Sequence, residues 1–146
     1  MEQQKILFDD GVREYEVNGN GILRFHPGDP NLYHRFQQLV QDVDALKEEA
    51  LRRAGGITDG AGAVALLAEY DGRVKEKLSD VFGRENDFDK LLGGVNVMAP
   101  ARNGQLIVTN FILALQPILE EGIRDYARLE AAKAAAAYRP HEVPAE

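Results

Sequence analysis

The chain has 146 residues, the length of one ordinary domain, and contains no cysteine, which excludes a disulfide framework, thiolate metal sites and a cysteine nucleophile. Seventeen Lys and Arg against 24 Asp and Glu leave a formal charge of −7, the wrong sign for a surface that neutralises nucleic-acid phosphates. With 45% hydrophobic residues, 8% aromatic residues and no Trp, the expected core is largely aliphatic.

The first five residues are polar, and the apolar trio Ile6, Leu7 and Phe8 is too short for the core of a secretory signal. The most apolar stretch, Leu106 to Leu115, spans ten residues and includes Thr109 and Asn110, whereas a bilayer-crossing helix needs about twenty apolar residues. These features predict a cytoplasmic protein with neither membrane nor nucleic acid as partner.

Short strands are expected first. Ile6 to Phe8 meets the turn signal Asp9-Asp10-Gly11, Val12 to Val17 alternates with Tyr15 and Val17 on one side, and Asn18-Gly19-Asn20-Gly21 supplies a second turn. Ile22 to His26 follows, with Leu23 and Phe25 sharing a face. The result is a two- or three-stranded antiparallel hairpin or meander over 6–26, small enough to need a helix against its apolar side.

Pro27-Gly28-Asp29-Pro30 ends the strand, with Asp29 as N-cap and Pro30 at the first helical position. Leu32, Phe36, Leu39, Val40, Val43, Leu46, Ala50 and Leu51 recur in steps of three and four, so a helix is predicted over 30–53, ended by Gly55-Gly56. Thr58 or Asp59 caps a second helix from about Ala61 to Phe82, with Val64, Leu67, Val74, Leu78, Val81 and Phe82 on its buried stripe and a weak point at Asp71-Gly72. Asn86 to Leu92 suits one or two turns capped by Asn86 or Asp87 and closed by Gly93-Gly94, and Val95 to Arg102 reads as a connection. From Gln105, the positions Val108, Phe111, Ile112, Leu115, Leu119, Ile123, Tyr126 and Leu129 return to helical spacing and run into the alanine-rich segment 131–137. Pro117 lies inside this helix and predicts a kink. The expected fold is mainly α with a small N-terminal β-hairpin or meander (α+β), three to four helices and a long kinked C-terminal helix. A single domain covers 1–138, helical over 30–138, and 139–146, with two prolines, is read as a disordered tail.

Catalytic patterns are weak throughout. His34 follows Asp29 by five residues, but no nucleophile on a glycine-rich elbow accompanies them, and His26 and His141 are isolated. Asp42, Asp44, Glu48 and Glu49 cluster on the first long helix, interleaved with Lys47, and lack the alternating oxygen pattern of a calcium loop; Asp9-Asp10-Gly11 reads as a turn. Gly19-Asn20-Gly21 is followed three residues later by Arg24 and then by a strand, unlike a dinucleotide fingerprint. The glycine-rich stretch 55–62 precedes a helix but lacks the Lys-Ser/Thr ending of a phosphate loop. No enzyme, metal site or cofactor is expected.

Surface remains. The last helix carries Leu106, Ile107, Leu113 and Ile118 beside its main stripe, and a helix apolar nearly all round is either fully buried or meets a partner. Phe111 and Leu115 are assigned to the core, and Ile107, Leu113 and Ile118 are the candidate partner-binding residues of a homo-oligomer or of a client complex.

The order of features resembles a known family. Phe25-His26-Pro27-Gly28-Asp29-Pro30-Asn31 follows a hairpin, Arg35-Phe36 comes shortly after, a second helix ends Val81-Phe82-Gly83, a short turn-helix carries Leu92-Gly93-Gly94, and a long helix contains Asn110-Phe111-Ile112 and Pro117. Over residues 6–128 this resembles the tail assembly chaperones of long-tailed bacteriophages and prophages. The resemblance implies a non-enzymatic, self-associating helical protein that coats the tape-measure protein, recruits tail-tube subunits, acts in the host cytoplasm and is absent from the mature virion. It also implies a longer frameshifted form in some members. The alternatives are a structural virion or head–tail connector component, and a small enzymatic or ligand-binding domain using His34 and Asp29.

Overall fold

Asn18 and Gly19 both adopt positive φ, 50° and 74°, the mirror-image turn that matches the right-handed twist of two antiparallel strands. They join β1 (Arg13–Glu16) to β2 (Ile22–Phe25), in the register Arg13↔Phe25, Glu14↔Arg24, Tyr15↔Leu23 and Glu16↔Ile22. This is a computed structural model, and it describes residues 2–137. The tail expected at 139–146, with His141, lies outside them.

Alternation sorts the hairpin's faces. Leu23 and Phe25 are buried and Tyr15 and Val17 half-buried on the inner side, while Glu14 and Arg24 pair at 2.7 Å on the outer side. The third strand does not form. Ile6, Leu7 and Phe8 are unpaired and 85%, 87% and 78% exposed, and Asp9 and Asp10 instead accept the Gly11 and Val12 N–H groups in tight local turns.

Four helices follow: α1 (Pro30–Ala54), α2 (Gly60–Phe82), α3 (Phe88–Leu91) and α4 (Ile107–Ala137). Three begin at an aspartate whose carboxylate accepts an early N–H: Asp29 from Asn31, Asp59 from Gly62 and Asp87 from Lys90. α4 starts differently. The N–H groups of Ile107 and Val108 donate to the carbonyls of Ala99 and Val97, so the preceding connection satisfies them and sets the start two residues after Gln105. α4 runs as one helix through Pro117, which lies on its exposed side.

α1 and α2 form the principal packed pair. The stripe on α1 is buried as its periodicity predicts, except Val40, which is half-buried, and Leu51, which is 74% exposed. On α2 the buried positions are Leu66, Tyr70, Val74, Leu78, Val81 and Phe82, so the expected Val64 and Leu67 are replaced by Leu66 and Tyr70. Tyr70 is wholly buried, yet its ring lies 5.5 Å from the Arg53 guanidinium and 4.9 Å from that of Arg73, and its hydroxyl accepts from Arg53. The helix is unbroken at Asp71-Gly72. Asp71 instead accepts the Val97 N–H at 2.8 Å and pairs with Lys75, which also reaches Asp89 and the Val95 carbonyl. Burial works against the charge on Lys75, but Asp89 and Asp71 outweigh it and hold the ammonium above the usual lysine range.

Five aromatic rings form one path. Tyr15 stacks on Phe25 at 4.8 Å, and Phe25, Phe82, Phe88 and Phe111 follow at 5.2, 5.8 and 6.2 Å, joining the hairpin to α2, α3 and α4.

Candidate functional site

The two edges of the hairpin have different fates. Asn86 is the buried polar residue of the core: its Oδ1 accepts the Arg24 N–H at 2.9 Å, and its Nδ2 donates to the Arg24 carbonyl at 3.0 Å and the Phe82 carbonyl at 2.9 Å. An amide side chain thereby stands in for a neighbouring strand and caps the outer edge of β2 at Arg24. Because the Arg24 backbone faces Asn86, Glu14↔Arg24 is a non-hydrogen-bonded pair, and the Glu14 N–H and C=O face away from β2. The same alternation turns those of Glu16 outward. Among the described residues this β1 edge has no backbone partner.

Beside that free edge lies α4. Gly122 brings the two together: a Cβ there would stand 2.1 Å from the Pro27 carbonyl oxygen, so only glycine lets the helix backbone touch the hairpin's exit. On either side of this contact the surfaces diverge into a trough. One part, about 520 Å³, lies between Tyr15, Val17 and Leu92 on one wall and Ile107, Phe111 and Ile118 on the other. A second, about 600 Å³, continues past the shared Tyr15 and Ile118 to Val12, Tyr126 and Leu129. The first part is lined mainly by apolar atoms, and Asp9, Glu121 and Asp125 ring the second. A smaller apolar recess of about 340 Å³ lies between Leu51 on α1, Leu67 on α2, Met98 and Leu106.

Of the candidate partner residues, Ile107 and Ile118 share the trough wall, being eleven positions apart, about 20° around the helix. Leu113 lies about 120° from Ile107 and is 56% exposed on another side, so the three do not form one surface. Leu115 is buried as assigned, while Phe111 is half-buried with one edge on the trough. Asn86, expected only as an alternative cap to Asp87, instead holds the edge of β2, and Gly122 escaped sequence reasoning. A glycine inside an otherwise regular helical pattern was the available signal for Gly122, because such a position reports close backbone approach.

Among the described residues the histidines and carboxylates do not converge. Asp29 is committed to the Asn31 N–H, and His34 is exposed further along α1. His26 Nδ1 accepts the Gly28 N–H at 3.0 Å. Asp42 lies 3.6 Å from Lys77 and Glu49 lies 3.2 Å from Arg73, while Asp44 and Glu48 are exposed. Among the described residues no group of three or more His, Asp or Glu is gathered as a metal would require. No described helix is long and apolar enough to cross a membrane.

Compared with known proteins, the chain matches no family model, no curated protein and no solved structure.

Proposed function

We propose that the protein is a non-enzymatic assembly chaperone of the long-tailed phage type, which holds apolar segments of a tape-measure protein and presents them to tail-tube subunits. The observation that carries this reading is the trough of Tyr15, Val17, Ile107, Phe111 and Ile118, an apolar surface set between a strand edge and a long helix. Such a surface suits an extended or amphipathic segment whose apolar side chains repeat along its length. The motif order of residues 25–117 adds the resemblance to that family. A net charge of −7 keeps a loaded complex dispersed while its apolar client is covered.

Co-expression with tape-measure fragments tests the proposal. The fragments are expected to stay soluble and to copurify with the chain; Ile118→Asp should abolish copurification, and Leu113→Asp should retain it. Circular dichroism of both variants should match that of the unmodified chain. Fragments that aggregate regardless of the chain, or abundant chain in purified mature particles, would overturn the reading, the latter in favour of a structural virion component.

A further inference from the structure

We infer that the trough receives the segment Lys5–Phe8 of a second copy of this chain, added as a third strand on the free edge of β1. Two incomplete structures on one molecule point to it. Ile6, Leu7 and Phe8 form an apolar trio outside any regular element and at least 78% exposed, and the β1 edge presents the outward N–H and C=O groups of Glu14 and Glu16 above an apolar floor. An exposed strand-like segment and an unpaired strand edge complement each other through main-chain hydrogen bonds, with alternate side chains filling the pocket.

Register decides for a second copy over the chain's own segment. A two-residue turn at Asp9-Asp10 would set Phe8 opposite Gly11 and Ile6 opposite Arg13, leaving Gln4 opposite Tyr15 and Glu2 opposite Val17. A turn one residue longer sets Lys5 and Gln3 there instead. Turns of four or five residues bring Ile6 or Leu7 opposite Tyr15 but leave Gln4 or Lys5 opposite Val17, so no short turn places apolar side chains over both positions. A segment from another copy is free of that constraint. With Phe8 opposite Tyr15 and Ile6 opposite Val17, both apolar side chains point onto Ile107, Phe111 and Ile118, and Lys5 falls on the outer face diagonal to the Glu16 carboxylate. Two reciprocal exchanges, each covering Ile6 and Phe8 and the floor beneath them, bury on the order of 1,000 Å², the size of a weak interface that dissociates on dilution.

This goes beyond the client reading and does not depend on it, since self-pairing is measured on the chain alone; the two occupants share one trough, so a client segment displaces the exchanged one. Sedimentation of the full chain over a wide concentration range should show a dimer that dissociates on dilution. Ile6→Asp/Phe8→Asp should weaken it at least tenfold. Glu16→Pro, which removes an outward N–H while leaving the β1–β2 ladder, should do the same. Mixing the two variants should pair more tightly than either alone and less tightly than the unmodified chain, because the mixed dimer regains one of the two exchanges, an intact segment on an intact edge. Hydrogen exchange on the unmodified chain, which needs no variant to fold, should show the Glu16 amide, which faces Leu7 of the docked segment, becoming protected as concentration rises. A monomer at every concentration, a double variant that pairs like the unmodified chain, a mixture that pairs no better than either variant alone, or Glu16 protection independent of concentration would each overturn the inference.

Discussion

At the scale of single residues, the side chains that organise this molecule are those that satisfy backbone groups. Asp29, Asp59 and Asp87 cap helices, and all three are legible in the sequence, Asp59 beside the alternative Thr58 and Asp87 beside the alternative Asn86. Asn86 carries the same type of signature, yet its three bonds go to Arg24 and Phe82, and the pairing with Arg24 spans 62 positions of sequence. No local pattern announces a partner that distant. Asn86→Ala would strand the Arg24 N–H and two carbonyls in the interior, and a loss of about 2–3 kcal/mol is expected from urea unfolding, with the slope unchanged. A loss below about 0.5 kcal/mol would show that water replaces the amide there.

At the scale of elements, periodicity located every long helix, and failed where tertiary partners set the phase. On α2 the steps of four from Leu66 through Tyr70, Val74 and Leu78 face α1, and Tyr70 was passed over because Glu69 and Asp71 flank it. Its ring is nevertheless covered by Arg53 from α1 and by Arg73, a use of charged side chains as packing that hydropathy does not register. α4 shows the opposite case: every residue from Arg124 to Ala137 is exposed, so its last turns stand on alanine-rich propensity and not on the core. Ala132→Gly/Ala135→Gly should therefore remove helical signal in circular dichroism, at about 1 kcal/mol per site, while the cooperative thermal midpoint stays in place. A lowered midpoint would place these turns within the cooperative unit.

At the scale of the whole molecule, the trough exists because α4 touches the hairpin at one place and departs from it on either side. Gly122 against Pro27 is that place. Gly122→Ala forces a methyl into the Pro27 carbonyl, and a destabilisation of about 1–3 kcal/mol is expected from denaturant unfolding, as for other overpacked contacts. The same variant should weaken concentration-dependent pairing more than its stability loss accounts for, since moving α4 off the hairpin reshapes both walls at once. Pairing that tracks stability alone would separate the trough's shape from its use.

The sequence by itself determined the local half of this protein: the Asn18-Gly19 turn, the caps, the positions and lengths of the long helices, and the alternation that buries Leu23 and Phe25. Each of these rests on interactions within a few residues, which pattern and propensity report directly. Tertiary structure alone decided that Ile6–Phe8 stays off the sheet, that Asn86 closes one strand edge and leaves the other open, and that Ile107 and Ile118 share a wall from which Leu113 is turned away. Those outcomes depend on which surfaces remain after α1, α2 and α4 have packed. The acidic charge and the missing cysteine spoke against a phosphate-neutralising surface and thiol chemistry; only the packed chain showed where an apolar surface was left uncovered.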